Sequence, residues 1–180
     1  MSGRPAIFLD RDNTLIHNEG DLGDPRAVIL MPGVADALRR LHDRGWPLIV
    51  ITNQGGVARG RYDEDAVRAV HARAEELLGG VPMLDWLWCP WHPEGTVPEY
   101  TGEHPWRKPA PGMLIEAAAR HDLDLGRSWM IGDQDRDIAA GRAAGCRTVL
   151  LAEVAGDPPP DTVATSIGAA VDFILRETST

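Results

Sequence analysis

The stretch AIFLDRDNT, residues 6–14, decides the fold because an apolar run stops there at two closely spaced carboxylates. Ala6–Leu9 is predicted to be a strand, and Asp10 and Asp12 follow it directly. A continuous apolar run of this length is typical of a strand buried inside a parallel sheet. In open sheets of that kind, ligands bind beyond the carboxyl ends of the strands. The stretch therefore predicts both a parallel sheet and a polar site at its edge.

The same pattern recurs along the chain, with short apolar runs separated by segments of helical periodicity. Further strands are predicted at Pro47–Ile51, Leu84–Trp88, Trp129–Ile131 and Thr148–Leu151. Helices are predicted between Pro32 and Gly45, after an N-cap at Asp63, over Gly112–His121, over Asp135–Ala144, and after an N-cap at Ser166. Strands that alternate with helices indicate an α/β fold: a doubly wound, mainly parallel, Rossmann-like sheet with helices on both faces.

We expect residues 1–180 to form a single domain, because no repeat, low-complexity segment or linker divides them. A long loop insertion at about residues 89–111 is rich in Pro, Gly and Trp. A loop of this length is usually functional or held in place by other groups. The intervals that follow the first two strands leave no room for a large cap domain, so we expect an open site bordered by loops.

Composition and charge narrow the class of function. The 180 residues carry 18 basic and 27 acidic side chains, which gives a formal net charge of −9. Neither nucleic acid nor an anionic membrane is an expected partner, because both attract positively charged surfaces. We find no signal-peptide pattern and no apolar run long enough to cross a bilayer. Two cysteines are too few for a disulfide framework, so we expect a cytoplasmic protein.

One basic residue differs from all the others. Of the 18 basic side chains, 17 are Arg and one, Lys108, is Lys. Arg presents a planar fork and Lys a compact point charge, so Lys108 is expected where only an ammonium fits. The alternative is that a single Lys in an Arg-rich chain is an accident, and composition alone does not decide between the two.

Polar residues that follow the predicted strands form a candidate site. Asp10 and Asp12 follow the first strand, Thr52 and Asn53 the second, and Asp133 a later one. Clustered acidic oxygens without His or Cys suit Mg²⁺, which shares its coordination sphere with phosphate. Hydroxyl and amide donors, with the ammonium from the long loop, would complete a pocket for a phosphoryl group. The pattern therefore predicts phosphoryl transfer.

Four motifs, in order and at strand ends, resemble those of the haloacid dehalogenase (HAD) superfamily of aspartate-nucleophile phosphatases. They are FLDRDNTL (residues 8–15), VITNQGG (50–56), RKPAPGM (107–113) and IGDQDRDIAAGRAAG (131–145). Within the superfamily, TNQGGVARGRY, CPWHPEG and RKPAPGM look most like the D-glycero-D-manno-heptose-1,7-bisphosphate 7-phosphatases. The histidinol-phosphate phosphatases are similar as well.

The resemblance implies a catalytic role for each acidic motif residue. Asp10 would attack phosphorus and form an aspartyl-phosphate intermediate. Asp12 would protonate the leaving oxygen and later accept a proton from the attacking water. Mg²⁺ would bind the carboxylates of Asp10 and Asp133 and the main-chain carbonyl of Asp12. For Asp137, a part in the site and a role as a helix N-terminal acid are both open.

The resemblance also implies which residues hold the substrate. Thr52, Asn53 and Lys108 would bind the phosphoryl oxygens. Arg59 and Arg107 would contact the rest of a phosphorylated substrate, because a guanidinium fork suits such groups. For Arg59, a solvated loop charge is the competing interpretation.

The sequence departs from the family in two places. Asn13 stands where the family usually has Gly, and Asn is the residue that next best tolerates a left-handed backbone. Related phosphatases commonly tie the long loop with zinc, through a Cys-x-His pair and a later Cys-x-Cys pair. Cys89 fits that pattern, but Trp91 occupies the histidine position, and His104 and Trp106 occupy the two later cysteine positions.

The degenerate loop is a poor zinc site. A structural zinc ion needs four N or S donors, and the loop offers three: Cys89, His92 and His104. We therefore expect no zinc, and we expect Trp88, Trp91 and Trp106 to pack together in its place.

These observations predict a Mg²⁺-dependent phosphomonoester hydrolase, expected to be monomeric, that acts on a small phosphorylated metabolite. Heptose bisphosphate is the expected substrate, and histidinol phosphate or another sugar phosphate is the alternative. A polynucleotide 3′-phosphatase would need a basic groove, which the net charge disfavours. A non-catalytic phospho-ligand binding module is disfavoured because Asp10, Asp12, Lys108 and Asp133 are all present.

Overall fold

In the computed structural model, which describes residues 3–178, six parallel strands form one sheet. The strands are β1 (Ile7–Leu9), β2 (Leu48–Asn53), β3 (Asp85–Cys89), β4 (Trp129–Gly132), β5 (Arg147–Leu151) and β6 (Thr162–Ala164). Their order in the sheet is β3-β2-β1-β4-β5-β6, and every neighbouring pair is parallel. The chain thus winds outward from β1 in both directions, which makes the crevice between β1 and β4 the topological switch point.

Five helices cover the two faces of the sheet. They are α1 (Val34–Asp43), α2 (Glu64–Leu77), α3 (Gly112–His121), α4 (Asp135–Ala144) and α5 (Ile167–Glu177). Because side chains alternate along a strand, Ile7 and Leu9 pack into one core layer, whereas Phe8 packs into the other. The first layer includes buried residues of α1, α2 and α5, and the second includes buried residues of α3 and α4. The predicted doubly wound α/β fold is confirmed.

The predicted helix boundaries rest on capping residues that the structure bears out. The Asp63 carboxylate accepts a hydrogen bond from the Ala66 N–H at 2.8 Å, and the Ser166 hydroxyl accepts one from Ala169 at 3.2 Å. Gly45, just beyond α1, has a φ of 82°, which favours glycine. Asn13 has a φ of 57°, so the residue that replaces the family's Gly does adopt the left-handed conformation.

The structure differs from the sequence prediction at one strand. β6 was not predicted, because its three residues follow a Pro-rich segment and are too few to show a period. β6 pairs with β5 at the edge of the sheet. The long loop after β3 contains one short 3₁₀ turn, Pro98–Tyr100. Among residues 3–178, no helix combines the length and the apolar character that crossing a membrane requires.

Candidate active site

Two adjacent strands bring the acidic residues together at the switch point. Asp10 follows β1 and Asp133 follows β4, and the Asp10 N–H donates to the Ile131 carbonyl at 2.9 Å. The first turn of α4 adds Asp137. One carboxylate oxygen from each of these three residues lies within 4.8 Å of the other two. The structure thus brings Asp10 and Asp133 together as the sequence predicted.

Lys108 enters this cluster from the long loop, and the residue is 2 % exposed. Its Nζ lies 2.7 Å from Asp10 Oδ1 and 2.7 Å from Asp137 Oδ1, and it donates to the Ile51 carbonyl at 2.9 Å. Burial by itself would lower the pKa of Lys108, but the carboxylates of Asp10 and Asp137 outweigh burial and raise the pKa above its usual value. Lys108 is therefore a permanent cation inside the site.

Two carboxyl groups of the cluster, those of Asp10 and Asp133, have raised pKa values. Burial, followed by repulsion from Asp137, raises the pKa of Asp10 to about 6, although Lys108 opposes the shift. Burial and the neighbouring Asp10 also raise the pKa of Asp133, although a hydrogen bond from Gln134 opposes this. Buried acids with raised pKa values, crowded in a crevice, mark a functional site.

The donor set fits a hard divalent cation. Asp133 Oδ1 is buried and has no hydrogen-bond partner among residues 3–178, while its other oxygen accepts from the Gln134 amide at 2.8 Å. A buried carboxylate oxygen without a partner is costly unless a ligand or ion completes it. Asp137 is committed differently, because Lys108 pairs with it and its Oδ2 accepts from the Gln134 N–H at 3.1 Å. Asp10 also pairs with Lys108, but through Oδ1 alone, so Oδ2 of Asp10 and Oδ1 of Asp133 are the oxygens suited to Mg²⁺.

Asp12 lies at the edge of the cluster and is held by a polar network. Its Oδ1 accepts from Arg11 Nη2 at 3.0 Å and from the Asn18 amide at 2.9 Å. Its Oδ2 accepts from the Gln54 amide at 2.9 Å. Because Arg11 is fully buried and donates to Asp12, the Asp12 carboxylate is held in one position by the protein interior.

Thr52 and Asn53 end β2, next to β1 in the sheet. The Thr52 hydroxyl is buried and accepts from the Gln54 amide at 2.8 Å. The Asn53 side chain binds the main chain of Lys108, since its amide donates to the Lys108 carbonyl at 2.9 Å and its oxygen accepts from the Lys108 N–H at 3.0 Å. The Asn53 side chain therefore fixes the main chain that carries the ammonium.

A cleft of about 420 Å³ opens beside this cluster. Its lining includes Asp12 and Asn53 together with three arginines: Arg59, Arg107 and Arg136. A Cβ on Gly55 would lie 3.2 Å from Arg59 Nη1 and 3.4 Å from Arg107 Nη1, so both guanidinium groups lie against the same glycine. Burial lowers the pKa of Arg107, and the nearby cations of Arg136 and Arg59 lower it further. The cleft therefore brings three arginines together, and three carboxylates, Asp12, Glu19 and Asp21, also line it.

The long loop is held by aromatic contacts that differ in part from the predicted ones. His104 stacks on Trp91 with a centroid distance of 4.0 Å, and Trp106 meets His104 edge-on at 6.2 Å. Trp88 does not complete this cluster as predicted, because its ring contacts His71 edge-on and lies under Arg68. Trp88 lies in β3 as predicted, but both of its partners belong to α2 and not to the long loop.

One ring nitrogen of each loop histidine is engaged by the main chain. Nδ1 of His104 accepts from the Trp106 N–H at 3.1 Å, and Nδ1 of His92 accepts from the Glu94 N–H at 3.0 Å. Cys89 is buried, and burial raises the pKa of its thiol. His92 lines the arginine cleft, where its Cδ2 lies 2.9 Å from a Cβ built on Gly55.

Four residues of the site were missed or left undecided by sequence reasoning. They are Gln54, Tyr62, Arg136 and Asp137. Asp137 does both of the things left open for it, because it caps α4 and also pairs with Lys108. Arg136 could have been found by its position in the first turn of α4, beside the strand end that carries Asp133. Gln54 lies within a quoted motif, but its partners come from three separate segments.

Comparisons with known proteins agree with this geometry. A family model described as HAD-hydrolase-like matches residues 105–170. The D-glycero-D-manno-heptose-1,7-bisphosphate 7-phosphatase of Thermosynechococcus vestitus is 43 % identical to this chain. The alignment covers 95 % of this chain and 95 % of that protein. The D-glycero-beta-D-manno-heptose-1,7-bisphosphate 7-phosphatase of Yersinia pestis is 36 % identical, covering 96 % of this chain and 90 % of that protein.

A solved structure extends the similarity to three dimensions. The D,D-heptose 1,7-bisphosphate phosphatase from B. bronchiseptica, complexed with magnesium and phosphate, matches with a TM-score of 0.84 at 29 % identity. The match covers 97 % of this chain and 99 % of that one.

Proposed function

Because the chain belongs to the heptose-bisphosphate phosphatase family of HAD-like hydrolases, we propose that it removes the 7-phosphate of D-glycero-D-manno-heptose 1,7-bisphosphate. The observation that carries the proposal is the placement of a buried nucleophile cluster beside a cleft with three arginines. The cluster supports phosphomonoester hydrolysis, and the arginines support a substrate with a second phosphate.

The proposed chemistry has two steps. An Asp10 carboxylate oxygen attacks phosphorus, the bond from phosphorus to the sugar oxygen breaks, and that oxygen takes a proton from Asp12. Water then attacks the aspartyl-phosphate, gives a proton to Asp12, and releases inorganic phosphate and the Asp10 carboxylate. Lys108, held 2.7 Å from Asp10, offsets negative charge at the reacting centre.

The metal and the phosphate-binding groups complete the proposal. Mg²⁺ would be held by the Asp10 and Asp133 carboxylates and the Asp12 carbonyl, and it would neutralise charge so that an anionic nucleophile can approach an anionic phosphate. Thr52, Asn53 and Lys108 are assigned to the phosphoryl oxygens. Since the Asn53 side chain is bound to the Lys108 main chain, we assign its contact to the main-chain N–H.

The arginine cleft is assigned to the second phosphate. Within residues 3–178, Arg59 pairs with Asp21, whereas Arg107 and Arg136 have no carboxylate at salt-bridge distance. Arg107 and Arg136, the two cleft arginines without a carboxylate partner among the described residues, favour an anionic ligand that neutralises them. A bisphosphate supplies that second anion, whereas cationic histidinol phosphate would meet repulsion.

The test is a comparison of kcat/KM across heptose 1,7-bisphosphate (both anomers), heptose 7-phosphate, histidinol phosphate and p-nitrophenyl phosphate, with and without Mg²⁺. We expect Mg²⁺-dependent turnover with the bisphosphate preferred, and we expect Arg136→Ala to reduce that preference about tenfold. Equal kcat/KM for the bisphosphate and the monophosphate would contradict the proposed substrate but not the proposed phosphatase mechanism. Full activity of Asp10→Asn would contradict the chemistry.

A further inference from the structure

The side chain of Gln54 makes four hydrogen bonds, and the residue is 1 % exposed. Its carbonyl oxygen accepts from Arg11 Nη2 at 2.8 Å and from the Tyr62 hydroxyl at 2.9 Å. Its amide nitrogen donates to Asp12 Oδ2 at 2.9 Å and to Thr52 Oγ1 at 2.8 Å. Every donor and acceptor of this buried amide therefore has a partner, as is typical of a side chain with one permitted orientation.

Arg11 fixes which way the amide faces. A guanidinium can donate hydrogen bonds but cannot accept them, so the Gln54 atom beside Arg11 has to be the oxygen. The NH₂ group then faces Asp12 and Thr52, and the contact with the Asp12 carboxylate would be lost if the amide flipped. Burial raises the pKa of the Tyr62 hydroxyl to about 12, so the hydroxyl stays protonated and donates to the same Gln54 oxygen as Arg11.

The orientation has a consequence for both residues that Gln54 touches. The Thr52 hydroxyl oxygen accepts a hydrogen bond from Gln54, which leaves the hydroxyl hydrogen free for donation to another acceptor. The Asp12 carboxyl is fixed through Oδ2 by Gln54 and through Oδ1 by Arg11 and Asn18. One amide thus connects the proposed acid with a proposed ligand of the phosphoryl group.

We propose that Gln54, oriented by Arg11 and Tyr62, is a positioning residue that aligns the general acid Asp12 with the phosphoryl group held by Thr52. This inference rests on the proposed function, because it takes the roles of Asp12 and Thr52 from there. Gln54 itself exchanges no proton with the substrate. Its effect on rate comes through the placement of the Asp12 carboxyl relative to the leaving oxygen.

Leaving-group dependence separates this role from a purely structural one. The alkoxide of a sugar phosphate is a strong base and needs a proton as it departs, whereas p-nitrophenolate departs without one. The parameter kcat/KM covers the steps up to departure of the leaving group, so slow hydrolysis of the aspartyl-phosphate does not mask the difference. Misplacement of Asp12 therefore slows alkyl phosphates more than the aryl phosphate.

The experiment compares wild type, Gln54→Met and Tyr62→Phe on two substrates: p-nitrophenyl phosphate and the best alkyl phosphate of the substrate panel. For Gln54→Met, we expect kcat/KM to fall about 100-fold on the alkyl phosphate and by less than about tenfold on the aryl phosphate. Tyr62→Phe keeps the ring and removes one donor to Gln54, so it should change the ratio in the same direction by about three- to fivefold.

Val57→Ala is the matched control, because Val57 is buried in the same loop and has no polar side-chain atom. It should leave the ratio of the two kcat/KM values unchanged even if it lowers the melting temperature. Equal losses on both substrates in Gln54→Met would overturn the positioning role. Wild-type enzyme without activity on any phosphate ester would instead overturn the proposed function, and that result would be seen before any variant is made.

Discussion

At the scale of single residues, the ammonium of Lys108 is buried among three oxygen acceptors. Its three neighbours, Asp10, Asp137 and the Ile51 carbonyl, lie 2.7 to 2.9 Å away, and the side chain is buried. Three acceptors around one nitrogen suit the three N–H groups of an ammonium, whereas a guanidinium spreads its donors in a plane. The one Lys in a chain with 17 Arg residues therefore stands where Arg does not fit.

Lys108→Arg keeps the positive charge but should lower kcat/KM by about 100-fold or more, which is the scale expected for a displaced charge-stabilising donor. The measurement is steady-state kinetics on the best substrate of the panel, with circular dichroism to check folding. A folded variant with wild-type kcat/KM would show that the single Lys is an accident of composition.

His71 gives a pH dependence of stability. Burial, with a smaller contribution from Arg11, lowers its pKa from 6.5 to about 3, and it stacks on Trp86. The unfolded chain therefore takes up a proton below pH 6.5 that the folded chain excludes, so the free energy of unfolding falls as pH falls from 6.5 towards 3.

His71→Phe keeps a ring against Trp86 and removes the titration. Between pH 6.5 and pH 5, we expect wild type to lose up to about 2 kcal/mol more stability than this variant. Urea unfolding at a series of pH values measures the difference, and parallel pH profiles for the two proteins would contradict the neutral buried histidine.

At the scale of helices, strands and loops, the elements with strong local signals were predictable. Capping by Asp63 and Ser166 depends on neighbouring residues alone, so the sequence shows it. β6 was missed because three residues at a sheet edge gain their structure from pairing with β5. The contacts of Trp88 were missed for a similar reason, since they depend on how α2 packs over β3.

The candidate site shows the same division between local and distant information. Asp10, Lys108 and Asp133 were predicted because each lies in a recognisable motif at a strand end or in the loop that reaches it. The arginine cleft depends on three segments, which carry Arg59, Arg107 and Arg136 and are far apart in the sequence. No local pattern predicts that these segments meet. The partners of Gln54 are likewise set by the tertiary structure.

The long loop offers a test at this scale. Trp91 stacks on His104 and meets Tyr100 edge-on, so aromatic contacts hold the loop. We expect Trp91→Ala to lower the free energy of unfolding by about 1–2 kcal/mol, less than the 3–5 kcal/mol of a fully buried aromatic. Thermal melts measure the loss, and metal analysis after dialysis should find no stoichiometric zinc; one zinc per chain would contradict this account.

At the scale of the whole molecule, the winding of the sheet determines where the chemistry occurs. The strand order reverses between β1 and β4, and the site lies at their carboxyl ends. The whole chain has a net charge of −9, and Lys108, Arg107 and Arg136 place cations at and beside the site. A phosphate bound there with Mg²⁺ should stabilise the whole fold, because it binds the folded state alone.

Mg²⁺ and phosphate together should raise the melting temperature, because the cation and the anion attract each other at the site and both bind the folded state. At about 100 times the dissociation constant, the gain in free energy of unfolding is about 2.7 kcal/mol. Asp133→Asn should abolish this gain, and Asp135→Asn, which changes an exposed neighbour in the first turn of α4, should preserve it. An equal shift in both variants would place the ions elsewhere.

The central claim is that Asp10 carries the phosphoryl group during turnover. The most direct measurement is mass spectrometry of peptides after a rapid acid quench of enzyme, Mg²⁺ and heptose 1,7-bisphosphate. We predict one added phosphoryl group on the peptide that contains Asp10, and none in Asp10→Asn. Turnover at the wild-type rate by Asp10→Asn, or a phosphoryl group on a different residue, would contradict the account.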